Sequence, residues 1–181
     1  AGVSRVVFGA RDLNPGVRGA GARLLRAAGV EVLEGVGAAE AGRLAAHFNA
    51  AMRRHRPFVA LKAGMTLDGC TATFTGESKW ITSKAQRDAA RKLRRLFDGV
   101  LVGVETALHD DPMLLPSPRT RRPYARVVLD SLLRLPLDSN LVTSARRHPV
   151  IVVGADGAPE HRRQALEAKG ARVLLVPGRG G

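Results

Sequence analysis

Side chains suited to binding a ligand are concentrated between residues 62 and 131, and most of them follow a predicted strand. Thr106 and Asp110 come after one buried strand, and Ser131 comes after the next. In an α/β sheet, the strand ends and the loops that follow them form the ligand crevice. We therefore expect a binding site that is built from the ends of neighbouring strands.

The only tryptophan, Trp80, lies two residues after Ser78 and just before a helix with arginines along one side. Two interpretations of Trp80 stay open: a wall for a flat heterocyclic ligand, or a packed core residue. Arg87, Arg91 and Arg94 share one side of the helix at 100° per residue. They form either a solvated face or an anion-binding cleft that uses one or two of them.

Several well-known motifs are missing from the sequence. The five histidines form no metal-binding pair, and the H-x-E and P-C-x-x-C motifs of a zinc deaminase are absent. No glycine-rich dinucleotide fingerprint, P-loop or G-x-S-x-G motif occurs. The single cysteine, Cys70, is expected to be a packed thiol, and no disulfide can form within the chain. We predict no metal site in this chain.

Composition indicates an anionic partner. The chain has 29 lysines and arginines against 16 acidic residues, a formal net charge of +13, and only five of the basic residues are lysines. The planar arginine fork suits phosphates, so the partner is a nucleic acid or a phosphorylated small molecule. A coding bias explains the arginine excess equally well. Only seven residues are aromatic, and they are not interleaved with the arginines as in single-strand binders.

The length of 181 residues allows one full domain or two incomplete ones. No apolar run approaches the ~20 residues that span a bilayer, and the first ten residues lack the layout of a signal peptide. We expect a soluble, cytoplasmic protein.

Helix–glycine–strand units at both ends of the chain predict an α/β protein with a largely parallel sheet. A capping box marks the start of the arginine-bearing helix at Ser83, and Leu67-Asp68-Gly69 predicts a hairpin turn. A polar loop is predicted over 108–122. The strands are predicted over 4–10, 30–33, 58–63, 71–75, 99–104, 125–129, 149–153 and 171–176, and the helices over 19–28, 38–55, 83–97 and 159–170.

Five motifs together resemble the reductase domain of the bifunctional riboflavin-biosynthesis deaminase/reductase. This resemblance implies a dihydrofolate-reductase-like fold. It also implies NADPH-dependent reduction of the ribosyl group of 5-amino-6-(5-phosphoribosylamino)uracil to a ribityl chain. The motifs are L-K-x-G-x-T-L-D-G at 61–69, G-E-S-x-W-I-T at 76–82, V-G-x-x-T at 102–106, D-D-P at 110–112 and R-V-V-L-D-S at 126–131.

The front of the chain, from Asp12 to Val32, resembles the last part of the deaminase domain of the same family, a cytidine-deaminase-like α/β domain. The resemblance implies that residues 1–55 are the C-terminal part of the deaminase domain and residues 56–181 the first part of the reductase domain. The chain would then be a piece cut at both ends, with the zinc and catalytic motifs of the deaminase before it and a glycine-rich cofactor loop after it.

The resemblance also implies roles for particular residues. NADP contacts fall on Gly64, Trp80, Thr106, Asp110 and Ser131. Substrate contacts fall on Ser78, Arg94 and Leu114, and Arg119 is a candidate because four residues separate it from the expected position. No catalytic residue is assigned.

The partners implied by the resemblance are the phosphorylated aminouracil substrate and further copies of the chain, with no nucleic acid and no membrane. Two alternatives stay open. The chain could be a basic nucleic-acid- or anion-binding module without enzymatic activity, or an inactive fragment.

Overall fold

The structure is a computed structural model and describes residues 2–119 and 121–178. In this part of the chain, both sheets consist of parallel strands. The chain divides into two units between Ala63 and Gly64. The first unit has a two-stranded sheet and the second a four-stranded sheet, and all their strand pairs are parallel. The predicted α/β architecture with a largely parallel sheet is confirmed.

In the first unit, two short strands lie on either side of one helix in sequence. β1 (Arg5–Phe8) pairs with β2 (Glu31–Glu34), and α1 (Ala20–Ala27) connects them. Gly29 follows α1 with a φ of 78°, a left-handed conformation that glycine adopts without steric cost. The helix–glycine–strand unit predicted here is therefore confirmed.

The single long helix predicted over 38–55 is wrong, because the structure has two helices there. α2 (Ala38–Leu44) and α3 (Ala46–Arg54) are separated at Ala45. Gly42 lowers the helix propensity near the end of α2 by about 1 kcal/mol relative to alanine. No residue of either helix is fully buried, so no continuous packing stripe holds the two in line.

The strands predicted over 58–63 and 71–75 are wrong, because residues 57–82 contain no helix or strand. The turn between them is confirmed: Gly69 has a φ of 84°, and its N–H donates to the Thr66 carbonyl oxygen at 3.0 Å. An isolated pair of strands is only marginally stable in water. Most apolar side chains of this stretch stay exposed, so no hydrophobic surface supports such a pair.

The second unit alternates strands and helices after its irregular first part. The sheet order is β3-β4-β5-β6, and a helix separates each strand from the next in sequence, as parallel pairing requires. The elements are α4 (Lys84–Leu93), a 3₁₀ turn (Arg94–Leu96), β3 (Gly99–Gly103), α5 (Val104–Asp110), β4 (Ala125–Leu129), α6 (Asn140–Thr143), β5 (Val150–Ala155), α7 (Glu160–Ala168) and β6 (Arg172–Val176).

The hydrophobic core of the second unit lies between this sheet and the helices and turns that follow its strands. Each fully buried valine or leucine stabilises the fold by roughly 1.5–3 kcal/mol relative to an exposed one. The largest fully buried apolar side chains are Val128, Leu133, Leu135, Leu141, Val142, Val150, Val152 and Leu166. The core therefore holds the ends of β4 and β5 in fixed positions.

The loop predicted over 108–122 is wrong at its start, because α5 continues to Asp110. Helix α6 was also not predicted. These helices have seven and four residues, which is too short for a helical period to emerge from the sequence. No helix in the described part of the chain is long and apolar enough to cross a membrane.

Candidate functional site

Helix α5 carries two of the predicted cofactor residues on one side. Thr106 and Asp110 are four residues apart, and side chains at that spacing are neighbours on a helix. α5 begins directly after Gly103, the last residue of β3, so it starts at the carboxyl end of the sheet. Ligands of parallel α/β proteins usually bind at this edge.

An ion pair brings the stretch around Trp80 to α5. Lys79 Nζ lies 2.8 Å from Asp110 Oδ1, and both side chains are close to half exposed. An ion pair with this exposure contributes about 1 kcal/mol or less to stability. Its main consequence is positional, because it joins the stretch that contains Trp80, the next residue, to α5.

Ser131 lies at the same edge, after the neighbouring strand. Leu129 at the end of β4 pairs with Gly103 at the end of β3, and Ser131 follows two residues later. Arg134 Nη2 lies 2.5 Å from Glu105 Oε1, which joins the turn after β4 to the first turn of α5. The structure thus brings Ser131 to the end of the sheet where α5 begins.

A buried carboxylate fixes the turn that carries Ser131. Asp130 is 1% exposed, and its Oδ2 accepts a hydrogen bond from the Leu135 N–H at 2.7 Å. The Ser131 carbonyl oxygen accepts from the Ala155 N–H at 3.1 Å. The Ser131 backbone is therefore held in place while the residue itself stays exposed.

Trp80 is a surface residue with a cation on one face. It is 68% exposed, so its interpretation as a packed core residue is wrong. The Arg87 guanidinium carbon lies 4.0 Å from the centroid of the indole, a cation–π arrangement. Arg87 also donates a hydrogen bond to the Thr82 carbonyl oxygen. The indole is thereby oriented, and most of its surface remains open to a ligand.

The arginine side of α4 faces the protein more than the leucine side does. The predicted capping box is present, with the Gln86 N–H donating to Ser83 Oγ at 3.2 Å. Leu93 is 45% exposed, whereas Arg87 and Arg94 are half-buried. The interpretation of the arginines as a solvated face is therefore wrong for Arg87 and Arg94.

Two arginines fix the backbone around Leu114. Arg94 Nη1 donates to the Leu115 carbonyl oxygen, and Arg126 Nη1 donates to the Met113 carbonyl oxygen, each at 3.2 Å. Leu114 lies between them with a φ of 55°, in the left-handed region, and its side chain is buried in the core. A contact between Leu114 and a ligand therefore has to use the backbone.

Arg126 is a buried hydrogen-bond donor, a structural role that the sequence did not predict. It has no exposed surface, and burial lowers its pKa to about 10. Besides Met113, it donates to Ser144 Oγ at 2.9 Å and to the carbonyl oxygens of Leu141 and His148. No carboxylate pairs with it among residues 2–119 and 121–178. An arginine at an inward position of an apolar strand is the signal that could have revealed it.

The remaining predicted site residues are less closely connected. Ser78 is half-buried and directly precedes Lys79, whereas Gly64 lies in the irregular stretch. Arg119 is exposed. The pKa of His148 is lowered first by the burial of His148 and next by the charge of Arg119. Within the described parts of the chain, no hydrogen bond or ion pair joins Gly64 or Arg119 to the other site residues.

The turn at Cys70 offers no metal site. Cys70 is exposed, so the prediction of a packed thiol is wrong. Hydrogen bonds from the Thr66 hydroxyl, the backbone and the Cys70 thiol lower the pKa of Asp68. In residues 2–119 and 121–178, no group of three or more His, Cys, Asp and Glu side chains could hold a metal ion.

Comparison with known proteins identifies the family of the chain. The sequence pattern of the RibD C-terminal domain matches residues 57–177. The chain belongs to the RibD C-terminal domain family. The resemblance that the five motifs indicate is thereby confirmed, and all five motifs lie within the matched residues.

Several curated relatives carry the name riboflavin biosynthesis protein RibD, and two of them show the degree of similarity. The protein from Aquifex aeolicus is 38% identical over 180 residues, which are 98% of this chain and 49% of that protein. The protein from Actinobacillus pleuropneumoniae is 42% identical over 151 residues, which are 83% of this chain and 40% of that protein. The chain thus spans about half the length, or less, of these curated RibD relatives.

Several solved structures share the fold, and two of them show the degree of similarity to the chain. One is a diaminohydroxyphosphoribosylaminopyrimidine deaminase/5-amino-6-(5-phosphoribosylamino)uracil reductase from Thermotoga maritima, with a TM-score of 0.75 and 34% identity over 95% of this chain and 54% of that one. The other is Acinetobacter baumannii RibD, with a TM-score of 0.77 and 31% identity over 98% of this chain and 49% of that one. The predicted α/β fold of the RibD type, dihydrofolate-reductase-like in its reductase domain, is confirmed.

The residues at this edge of the RibD-type sheet fit a nicotinamide dinucleotide. Trp80 presents an exposed indole on which a flat base can stack. Thr106 and Ser131 are exposed, and their hydroxyls can bond to ribose and phosphate oxygens. The second unit therefore contains exposed hydroxyl donors and an exposed aromatic surface of the kind that such a cofactor requires.

Proposed function

We propose that the chain is the NADPH-dependent reductase part of a riboflavin-biosynthesis enzyme. The reaction converts the ribosyl group of 5-amino-6-(5-phosphoribosylamino)uracil into a ribityl chain. The main support is that, in a chain of the RibD C-terminal domain family, the Lys79–Asp110 ion pair joins the stretch that contains Trp80 to α5, the helix that begins at the carboxyl end of the sheet and carries Thr106. The relative from Thermotoga maritima is named for this reductase activity.

The cofactor site of this proposal consists of Gly64, Trp80, Thr106, Asp110 and Ser131. NADPH supplies a hydride when it is bound. The Trp80 indole covers a flat ring, and the hydroxyls of Thr106 and Ser131 donate to oxygen atoms of the cofactor. The Asp110 carboxylate, held by Lys79, accepts from a ribose hydroxyl.

The substrate side of the site consists of Ser78, Arg94, Leu114 and Arg119. Arg94 uses one N–H on a loop carbonyl and keeps others for the substrate phosphate, which a guanidinium binds well. Arg119, which is exposed, adds a second cation for the same phosphate. Leu114 contributes its backbone. These residues act by orienting the reactants, and orientation supplies a large part of the rate gain in such reactions.

The proposal extends to the domain organisation. Residues 1–55 would be the C-terminal part of a zinc-dependent deaminase domain, and residues 56–181 the first part of the reductase domain. In support, the structural matches cover 95% and 98% of the chain, whereas the family pattern begins at residue 57. The earlier residues therefore match a different region of the same relatives. The deaminase would bind the zinc and catalyse pyrimidine deamination in the whole enzyme.

The proposed partners are the phosphorylated substrate and other copies of the chain in the cytoplasm, with no nucleic acid. Two arginines of α4 and the first residue of the following 3₁₀ turn support the last point, because each makes a contact within the protein. Arg87 stacks on Trp80, Arg91 Nη1 lies 3.0 Å from Asp88 Oδ1, and Arg94 binds a loop carbonyl. A basic module that binds nucleic acid is therefore not favoured.

Titration with NADPH, followed by tryptophan fluorescence, tests the proposed function. Trp80 is the only tryptophan, so its emission reports on the proposed site alone. We expect saturable quenching by NADPH that Thr106→Val and Ser131→Ala weaken and that Ser4→Ala, in the first unit, leaves unchanged. The proposal fails if NADPH causes no saturable change while a DNA or RNA oligonucleotide raises the melting temperature.

A further inference from the structure

Residues 111–115, which we call the clamped loop, follow helix α5 directly. Asp111 ends α5 with a φ of 38°, and Leu114 has a φ of 55°. Residues that carry a side chain avoid this left-handed region, so both conformations need support from contacts outside the loop. The path of the loop matters for the reductase, because the contact proposed between Leu114 and the substrate uses the backbone.

Asn140 holds the first residue of the clamped loop with three hydrogen bonds. Its N–H donates to Asp111 Oδ1 at 2.8 Å. Its Nδ2 donates to Asp111 Oδ2 at 2.9 Å and to the Asp111 carbonyl oxygen at 3.0 Å. Asn140 is the first residue of α6, and the first N–H groups of a helix have no partner within the helix. A carboxylate is a favourable acceptor for such a group because it is negatively charged.

Helix α6 is well suited to anchor the clamped loop. Its Leu141 and Val142 have no exposed surface and belong to the core of the second unit. Arg126 Nη1 donates to Ser144 Oγ, directly after α6, at 2.9 Å and to the Met113 carbonyl oxygen, in the loop, at 3.2 Å. The loop is therefore tied to both ends of a helix that packing keeps in place.

The far end of the clamped loop meets the substrate side of the site. Arg94, which is proposed to bind the substrate phosphate, donates to the Leu115 carbonyl oxygen at 3.2 Å. Leu114 therefore lies between the residue that Asn140 holds and the residue that Arg94 holds. A change of the backbone at Asp111 would alter where the N–H and carbonyl groups of Leu114 point.

We propose that Asp111 and Asn140 are positioning residues for the substrate side of the reductase site. They act through the clamped loop, which they hold so that the Leu114 backbone meets the substrate. The cofactor side should be unaffected, because Asp110 lies within α5 and is paired with Lys79. This inference rests on the proposed function, and it adds to that function two residues outside the set that the family resemblance implies.

Steady-state kinetics of the whole chain, together with calorimetry, tests the assignment through Asn140→Asp. This substitution keeps the size of the side chain but replaces the Nδ2 donor with a charged oxygen that Asp111 repels. Because a hydrogen bond to a charged group is lost, we expect the KM for the phosphorylated substrate to rise about tenfold. The kcat and the Kd for NADPH should change by less than about twofold.

Two further variants separate positioning from a general loss of structure. Adding Asp111→Asn to Asn140→Asp exchanges donor and acceptor between the two positions, so the KM of the double variant should return part of the way. Asp138→Asn is the matched control two residues before Asn140. Its exposed side chain makes no hydrogen bond or ion pair with another described residue, so the KM should stay unchanged.

Hydrogen exchange tests the clamped loop independently of the reaction. Asn140→Asp should speed amide exchange in residues 113–115 about threefold or more, because the loop loses one of its anchors. Residues 160–168, in α7, should exchange at the same rate in the variant and in the unmodified chain.

Each other outcome overturns a different statement. Faster exchange in the loop with an unchanged KM would show that Asn140 has only a structural role, and the assignment would be wrong. Equal rises in the KM and in the Kd for NADPH would place the effect on the whole site and would also overturn it. A double variant without any recovery would exclude the hydrogen bond as the cause. If the unmodified chain reduces no substrate with NADPH, the proposed function itself fails, and the assignment to the substrate fails with it.

Discussion

Residues 99–178 and residues 64–82 hold their functional side chains in different ways. The first region is a parallel sheet with a core in which Val128 and Leu135 have no exposed surface. The second contains no helix or strand, and its Leu67 and Phe74 are fully exposed. Thr106 and Ser131 are therefore positioned by the packing of a whole layer. Trp80 is positioned by individual contacts, namely the neighbouring Lys79–Asp110 ion pair and the Arg87 guanidinium.

This difference has consequences for variants. Packing in the sheet region contributes several kcal/mol at single residues, so changes there reduce stability. Exposed ion pairs and cation–π contacts contribute about 1 kcal/mol or less. We call residues 64–82 the open stretch. Changes in the open stretch should therefore reduce ligand affinity while leaving the free energy of unfolding nearly unchanged.

The largest expected effect is that of Arg126→Ala, in the sheet region. The substitution removes the Arg126 hydrogen bonds to Met113, Leu141, Ser144 and His148 and opens a cavity. We expect the free energy of unfolding, measured with urea, to fall by about 3 kcal/mol. Arg91→Gln, at an exposed position, serves as the control. A loss below about 1 kcal/mol for Arg126→Ala would contradict the importance of this residue for the sheet region.

The next largest effect concerns Arg94, which fixes the loop at Leu115 and is proposed to bind the substrate phosphate. Arg94→Ala should raise the KM for the phosphorylated substrate about tenfold or more and leave the Kd for NADPH unchanged. Steady-state kinetics of the reductase reaction measures the first quantity, and calorimetry measures the second. An unchanged KM would rule out the assignment of Arg94.

A smaller effect is expected for Asp110→Asn, which breaks the ion pair between the open stretch and α5. The Kd for NADPH should rise about fivefold, because Trp80 loses its anchor and the cofactor loses a carboxylate. The free energy of unfolding should change by less than about 1 kcal/mol. A large loss of stability with unchanged affinity for NADPH would contradict the expectation that residues 64–82 contribute to binding and not to stability.

The smallest effect is a dependence of stability on pH at His148. Burial first, and then the charges of Arg119, Arg126 and Arg147, lower the pKa of His148 in the folded state. The unfolded chain therefore binds the proton more readily, and the contribution to stability declines as the pH falls below about 6.5. Urea unfolding near pH 8 and near pH 5 should show a smaller difference for His148→Gln than for the unmodified chain. A larger difference would contradict the lowered pKa.

The sheet of the second unit could be predicted from the sequence because its strands are short apolar runs between turn residues. Val150–Ala155 is such a run, and its partners could be inferred from the helix and glycine that follow it. The strands predicted over 58–63 and 71–75 have a similar local pattern but no partner. Such a run forms a strand only if a neighbouring strand can pair with it, and the local sequence does not show whether that neighbour exists.

The site was accessible to sequence analysis only in part. The family motifs indicated Thr106 and Asp110, but helix α5 was too short to show that they share one side. The capping box at Ser83 predicted α4, yet the periodicity alone did not show which side of the helix faces the protein. The stack of Arg87 on Trp80 depends on the path of the chain between them, which no pattern encodes.

Hydrogen exchange with and without NADPH shows whether residues 64–82 and the edge of the sheet at α5 form one nucleotide site. We expect NADPH to slow amide exchange in residues 76–82 and in residues 104–110 over the same concentration range. Residues 160–168, in α7, should exchange at the same rate in both conditions. Slower exchange in only one of the first two segments, or in neither, would contradict a shared site.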